Sequence, residues 1–283
     1  MIRKQYIYSI LLLALTSQVI AQDALFSQFM NNENLLNPSL LATQNRFLEA
    51  DLSFREQGSA FSDGLPIRTF QAQVNLSHTA FEVDKFSYGL SVLGDKGGVG
   101  HIGANMAHIN FGYLKKLSDQ YSDFGEHYLG IGSSLGMGQR AVGWDRFWFG
   151  NQFNTEFHYI DKELDARESD LTGVRGRTGL LYDVNVGVSW YSNISSDLAL
   201  QAGFSAYHLS RPNISLFEGG TERQSVRYNA HFNLSKSIYD NVNLVPQFIF
   251  VSQGDAKQLI FGSDIEIDNL DVSEVILSFG CLA

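Results

Sequence analysis

Seven histidines are the first residues to weigh for chemistry: His78, His101, His108, His127, His158, His208 and His231. They are widely scattered and form no H-E-x-x-H or paired-ligand spacing, so they read as rim or interior polar residues. The carboxylates Asp161, Glu163, Asp165, Glu168 and Asp170 could offer oxygen ligands to Ca²⁺. Their order is not that of an EF-hand, and Lys162, Arg167 and Arg175 dilute the charge, so a solvated loop is the better reading. Asp95-Lys96-Gly97-Gly98 is Gly-rich like a phosphate cradle, but a turn between strands explains it more simply. Walker A and C-x-x-C motifs are missing from the chain. The expectation is a non-enzymatic protein without a metal or cofactor.

Composition points the same way. The net charge of -10 opposes nucleic-acid binding by phosphate neutralisation. The only cysteine is Cys281, so the 283 residues have no internal disulfide and depend on ladders and packing. Gly at 26, Pro at 4 and 13% aromatics suit strands rich in small and aromatic side chains.

The elements that must position any site are strands. In residues 128–138, Leu129, Ile131, Leu135 and Met137 alternate with Gly130, Gly132, Ser134, Gly136 and Gly138. Val184, Val186, Val188 and Trp190 alternate with Asp183, Asn185, Gly187 and Ser189. Residues 70–77 and 226–235 repeat the pattern, and similar runs occupy 47–55, 86–93, 100–114, 198–209, 242–251, 258–267 and 272–279. Period-2 alternation of this length predicts roughly eleven half-buried strands. In 100–114 the apolar phase shifts from Ile102, Ala104 and Met106 to Ile109, Phe111 and Tyr113, which predicts a β-bulge.

Two architectures accommodate such strands, a soluble sandwich and a membrane barrel. Strands of eight to ten or more residues favour the barrel, because a tilted membrane strand needs about 9–11. The polar face is Asn, Gln, Ser and Gly, as in a barrel interior, where a solvated sheet would carry more Lys, Glu and Thr. Tyr88, Tyr113, Tyr128, Trp190, Tyr191, Tyr207 and Tyr228 fall near strand ends and are expected to form interfacial girdles. The long stretch 141–180 carries Trp144, Phe147, Trp148 and Phe149 and is the candidate external partner loop.

The N-terminus predicts export. Arg3 and Lys4, an apolar run over residues 7–15, and Val19-Ile20-Ala21 have the order of a secretory signal peptide cut after Ala21. The expected organisation is a signal peptide over 1–21, an N-terminal segment over 22–46 and a barrel over 47–283. Phe26, Phe29, Met30, Leu35 and Leu36 are expected to anchor the segment, with Asn37-Pro38 turning the chain toward the first strand.

Gln22-Asp23, Phe26-Ser27-Gln28-Phe29-Met30 and Leu36-Asn37-Pro38 resemble the mature N-terminus of the PorP/SprF family of Bacteroidetes. That pattern is approximately Q-D-P-x-F-S-Q-Y-M followed by L-N-P-A-x-A-G; here Ala24, Phe29 and Ser39 depart from it. Phe54-Arg55-Glu56-Gln57-Gly58 is similar to the family's first-strand motif, with Gly58 in place of Trp. The resemblance implies a transmembrane antiparallel β-barrel like the FadL-type transporters. It also implies a place in the outer membrane and a role in type IX secretion or surface attachment of cargo such as gliding adhesins. The partners implied are membrane lipid, the secretion or gliding machinery and a secreted cargo protein. The alternative role is an uptake barrel for small hydrophobic or lipid-like molecules. The family's closing pattern is missing at Phe279-Gly280-Cys281-Leu282-Ala283, so both a barrel incomplete at its C-terminus and a divergent complete one are open expectations.

Overall fold

The computed structural model describes residues 32–43, 46–58, 66–80, 83–98, 100–118, 125–144, 147, 152–160, 173–239, 241–267 and 275–282. A short helix α1 (Glu33–Leu36) runs into a 3-10 turn (Pro38–Ala42), and strands follow. These are β1 (Leu48–Gln57), β2 (Ile67–Ala80), β3 (Asp84–Gly97), β4 (Ile102–Lys116) and β5 (Glu126–Ala141). Then come the two-residue strands β6 (Phe153–Asn154) and β7 (Tyr159–Ile160), which pair only with each other. The main series resumes with β8 (Leu181–Ser195), β9 (Leu198–Tyr207), β10 (Arg227–Tyr239), β11 (Val242–Gln253), β12 (Ala256–Ile267) and β13 (Val275–Leu282). Eleven strands form one antiparallel sheet in which each pairs with its neighbours in sequence. Among the described residues β1 pairs only with β2, and β13 only with β12.

The two faces of this sheet are inverted relative to a water-soluble protein. Leu129, Ile131, Leu135 and Met137 of β5 are 37–53% exposed, and Val186, Val188 and Trp190 of β8 are about as open. Their alternating partners Ser134, Asp183, Asn185 and Ser189 are buried. The same division holds in β2, where Phe70 and Val74 are exposed while Gln71, Gln73 and Asn75 are buried. It recurs in β10, where Tyr228 and Phe232 are exposed while Asn229, His231 and Asn233 are buried. A sheet that exposes its aliphatic side chains and buries its amides suits an apolar solvent outside. Among the described residues no helix is long and apolar enough to cross a membrane.

The predicted bulge in 100–114 is not formed. β4 pairs with β3 in unbroken register from Gly97↔Ile102 to Lys85↔Leu114. Ala104 and Met106 lie on the same face as His108, Asn110 and Gly112, and Ile109 and Phe111 lie on the other. Apolar residues on the inner face imitate a slip of phase. The register does shift elsewhere, between Asn193 and Ser195 and between Ser237 and Tyr239, beside the short turns. The girdle expectation also needs division. Tyr88, Trp190 and Tyr228 are exposed on the outer face, whereas Tyr207 is buried and carried inward with Ser205.

The two ends of the sheet differ. One end has short turns such as that between β8 and β9. The other carries the connections 142–180 and 208–226, which join each other. Val174 and Phe217 form a bridge, Arg175 N–H donates to Leu216 C=O (2.6 Å), and Glu218 N–H donates to Gly173 C=O (2.7 Å).

Candidate functional site

The inner face encloses residues 34–42. Leu36, Asn37, Ser39, Leu40, Leu41 and Ala42 are each almost completely buried. Asn37 caps the 3-10 turn: its Oδ1 accepts from Ser39 N–H at 3.0 Å and from Ser39 Oγ at 2.8 Å. Pro38 occupies the first turn, where its missing N–H costs nothing. The capped turn fixes the direction of Asn37 Nδ2. That amide donates to Val188 C=O (3.0 Å) and Phe204 C=O (3.4 Å) and lies 3.1 Å from His231 Nε2.

The carbonyls that a short helix leaves open are met by the same wall. Ser205 Oγ (2.7 Å) and Asn229 Nδ2 (2.9 Å) both donate to Leu36 C=O. Arg227 Nη2 donates to Leu35 C=O (3.0 Å), and Tyr207 Oη donates to Asn34 C=O (2.7 Å). Arg227 also lies 4.2 Å from the Tyr207 ring centre, a cation–π contact that holds both side chains. On the far side Asn34 Nδ2 donates to Gln73 Oε1 (2.7 Å) on β2.

Close approach of the backbone needs glycine at particular points. A Cβ on Gly187 would lie 1.8 Å from Asn37 Oδ1, and one on Gly132 would lie 2.3 Å from the Pro38 carbonyl oxygen. Either would push the segment from its seat. The third wall is apolar: Leu36 and Leu40 cluster with Ile249, Val251 and Ile260 of β11 and β12. Strands of the eleven-stranded sheet from β2 through β5 and β8 through β12 therefore meet one stretch of nine residues, and the sheet curves around it.

Of the residues singled out from sequence, Leu36, Asn37 and Pro38 are brought together here. Phe26, Ser27, Gln28, Phe29 and Met30 lie outside the described residues. Leu35 is half-buried. Phe54 is 64% exposed on the outer face of β1, and Arg55 donates to Gln57 at the end of that strand. Trp144 and Phe147 contact each other with ring centres 5.6 Å apart, and Trp144 Nε1 donates to Arg175 C=O (3.1 Å). Trp148 and Phe149 lie outside the described residues. Sequence reasoning missed Ser205, Tyr207, Arg227, Gly187 and His231 as partners of the segment. The polar run Arg227, Asn229, His231 and Asn233 on one face of β10 was the available signal.

Above the segment, toward the long connections, lies a cavity of about 430 Å³. Asn34 and Leu35 reach it from below, and Asp183 and His208 are part of its wall. His208 Nδ1 lies 3.0 Å from Asp183 Oδ2, and His108 Nε2 lies 3.8 Å from the same oxygen. Among the described residues no set of three His, Cys, Asp or Glu side chains is arranged to hold a metal ion.

An eleven-stranded antiparallel sheet, apolar on one face and polar on the other, packed over its own capped N-terminal segment, defines a strand-built protein suited to an apolar surround. Residues 18–279 match the family described as type IX secretion system membrane protein PorP/SprF. The chain belongs to that family. No curated protein matches it.

Proposed function

We propose that this chain is an outer-membrane β-barrel that supports type IX secretion, or the surface attachment of a secreted cargo such as a gliding adhesin. The observation that carries the proposal is the inverted sheet. Aliphatic and aromatic side chains are open along strands of up to 16 residues, and the amides are shut inside. Lipid is the solvent that makes this arrangement favourable. Eleven strands wrapped around one segment support a barrel, and the polar interior favours secretion support over uptake of hydrophobic molecules. The signal peptide would be removed near Ala21, which leaves the segment free to enter the barrel from its own end. The connections 142–180 and 208–226, with Trp144 and Phe147, are the proposed contact surface for machinery or cargo.

The test has two parts. The chain fractionates with outer membranes and resists carbonate extraction; recovery in the carbonate wash would refute the barrel. Deletion of its gene abolishes surface display of one type IX cargo while total cargo synthesis is unchanged. Normal display of every such cargo would refute the role. At the level of single residues, Ile131→Lys puts a charge on the outer face at a cost of about 2–4 kcal/mol. Loss of the heat-modifiable band in membranes is the expected result.

A further inference from the structure

At the end of the sheet with the long connections, Arg68 of β2 and Lys96 of β3 stand side by side as direct cross-strand partners. The next residue on the same rung is Gly103 of β4, which pairs with Ala141 at the start of the connection 142–180. Both cations are exposed on the outer face, in line with Phe70 and Val74 on β2 and with Leu90 and Val92 on β3. Like charges placed directly opposite one another repel. The chain carries a net charge of -10, so an adjacent pair of cations is against its general balance. The nearest acids do not cancel the pair. Asp95 turns to the inner face, where it accepts from Thr69 Oγ1 (3.0 Å). Glu56, opposite Arg68 on β1, accepts from Arg68 Nε (2.7 Å). That contact orients the guanidinium and leaves its terminal nitrogens for a second acceptor. Lys96 has glycine on its far side, and among the described residues no carboxylate forms an ion pair with it. The rung therefore keeps an excess positive charge.

Height on the sheet decides what this pair faces. Below it the outer rungs are apolar: Phe70, Ala72 and Val74 lie opposite Gly94, Val92 and Leu90. His78 marks the far boundary of the band, edge-on to Phe86 (5.7 Å) and Tyr88 (6.2 Å). Arg68 and His78 are roughly 33 Å apart along the strand at about 3.3 Å per residue. At a tilt of about 40° that is about 25 Å across a bilayer, the height of the lipid-facing band of a membrane barrel. Arg68 and Lys96 thus stand at the level of the lipid headgroups. Gly94 on the rung beneath carries no side chain, and a Cβ there would meet only Asn105 Oδ1 (3.2 Å), so the space under Lys96 is open to a headgroup. Phosphate is the anion of that level, and a guanidinium fork beside an ammonium matches it in charge and geometry. We infer that Arg68 and Lys96 bind the phosphate of a membrane lipid, whose acyl chains lie on Phe70, Val92 and Leu90. The inference rests on the outer-membrane reading: the long connections of such a barrel face outside, so the lipid is a phosphorylated glycolipid of the outer leaflet.

The full chain folded in detergent micelles, with heat-modifiability as the check on folding, is titrated with lipid A, and bound lipid is counted by native mass spectrometry. Saturable binding is expected, and lipid A stripped of its phosphates should bind at least about tenfold more weakly. Each cation beside an anionic headgroup contributes about fivefold, so Arg68→Gln combined with Lys96→Gln should weaken lipid A by about thirtyfold. Lys257→Gln removes an exposed cation at the start of β12 and should change binding by less than about twofold. The comparison of lipid A with its phosphate-free form needs no variant, so it decides the matter even where the double variant does not fold. Equal binding of the phosphate-free lipid overturns the inference. So does a loss with Lys257→Gln as large as that of the double variant, or displacement of lipid A by equimolar inorganic phosphate. A heat-modifiable chain without phosphate selectivity defeats this inference alone. A chain that is never heat-modifiable and leaves membranes in carbonate defeats the outer-membrane reading beneath it.

Discussion

Two walls hold the same nine residues by different physics. The wall from β8 to β10 is polar and holds the segment through directed hydrogen bonds to Asn37 and to the carbonyls of Leu35 and Leu36. The wall from β11 and β12 is apolar, with Ile249, Val251 and Ile260 packed on Leu36 and Leu40. In the proposed barrel, with lipid outside, polarity is the ordinary state of the inner face. An apolar patch on that face marks the place where another part of the chain packs. The polar wall sets position and direction, and the apolar wall supplies burial.

The comparison can be broken most severely at its hinge. Gly187→Val places carbon where Asn37 Oδ1 now sits and should expel the segment from both walls at once, at a cost on the order of 4 kcal/mol or more. Urea unfolding in lipid vesicles reads this as the largest loss of midpoint in the series. Next comes the apolar wall alone. Leu36→Ala should cost about 2–5 kcal/mol, and Leu36→Met under about 1.5 kcal/mol, because volume is what the site requires. The combination with Ile249→Ala should be less than additive, since both changes empty one contact. Asn37→Ala follows at about 2–4 kcal/mol, from the lost cap and the stranded polar groups. Here the isosteric hydrophobe Asn37→Leu should be no better than alanine. A polar wall as forgiving as the apolar one would contradict the distinction.

The smallest effect lies outside both walls, at the turn between β8 and β9. The hydrogen bond from Lys236, with help from Ser195, holds the Asp197 carboxyl down at about 2 from an ordinary 3.8. A depressed carboxyl stabilises the fold above its ordinary value, and that contribution fades as pH falls through about 2. The pair is exposed, so Lys236→Ala should leave the unfolding midpoint at neutral pH nearly unchanged. A large shift would mean that the short-turn end carries structural weight comparable to the walls.

Strand number and facing could be read from the sequence because alternation is local. Leu135 and Ser134 are neighbours that face opposite ways whatever surrounds them. The seat could not be read so fully, because its partners are far apart in sequence: Asn37 and His231 are separated by 194 residues. Gly187 and Gly132 read only as small interior residues until the backbone of Asn37 and Pro38 is placed against them. Ala104 and Met106 misled for the opposite reason. They are apolar residues on the polar face beside the cavity, and period alone cannot distinguish them from a bulge. Tyr207 likewise has the position of a girdle aromatic in sequence, but its hydroxyl donates inward to the Asn34 carbonyl.

The central claim is that lipid lies on one side of this sheet and the chain's own N-terminal segment on the other. Nitroxide labels at Leu135 and at Ser134, in a Cys281→Ser background reconstituted in bilayers, test it at adjacent residues of one strand. The label at Leu135 should be relaxed strongly by oxygen and weakly by a water-soluble nickel chelate, while the label at Ser134 should be shielded from oxygen. Equal and high accessibility of both labels to the nickel chelate would contradict it.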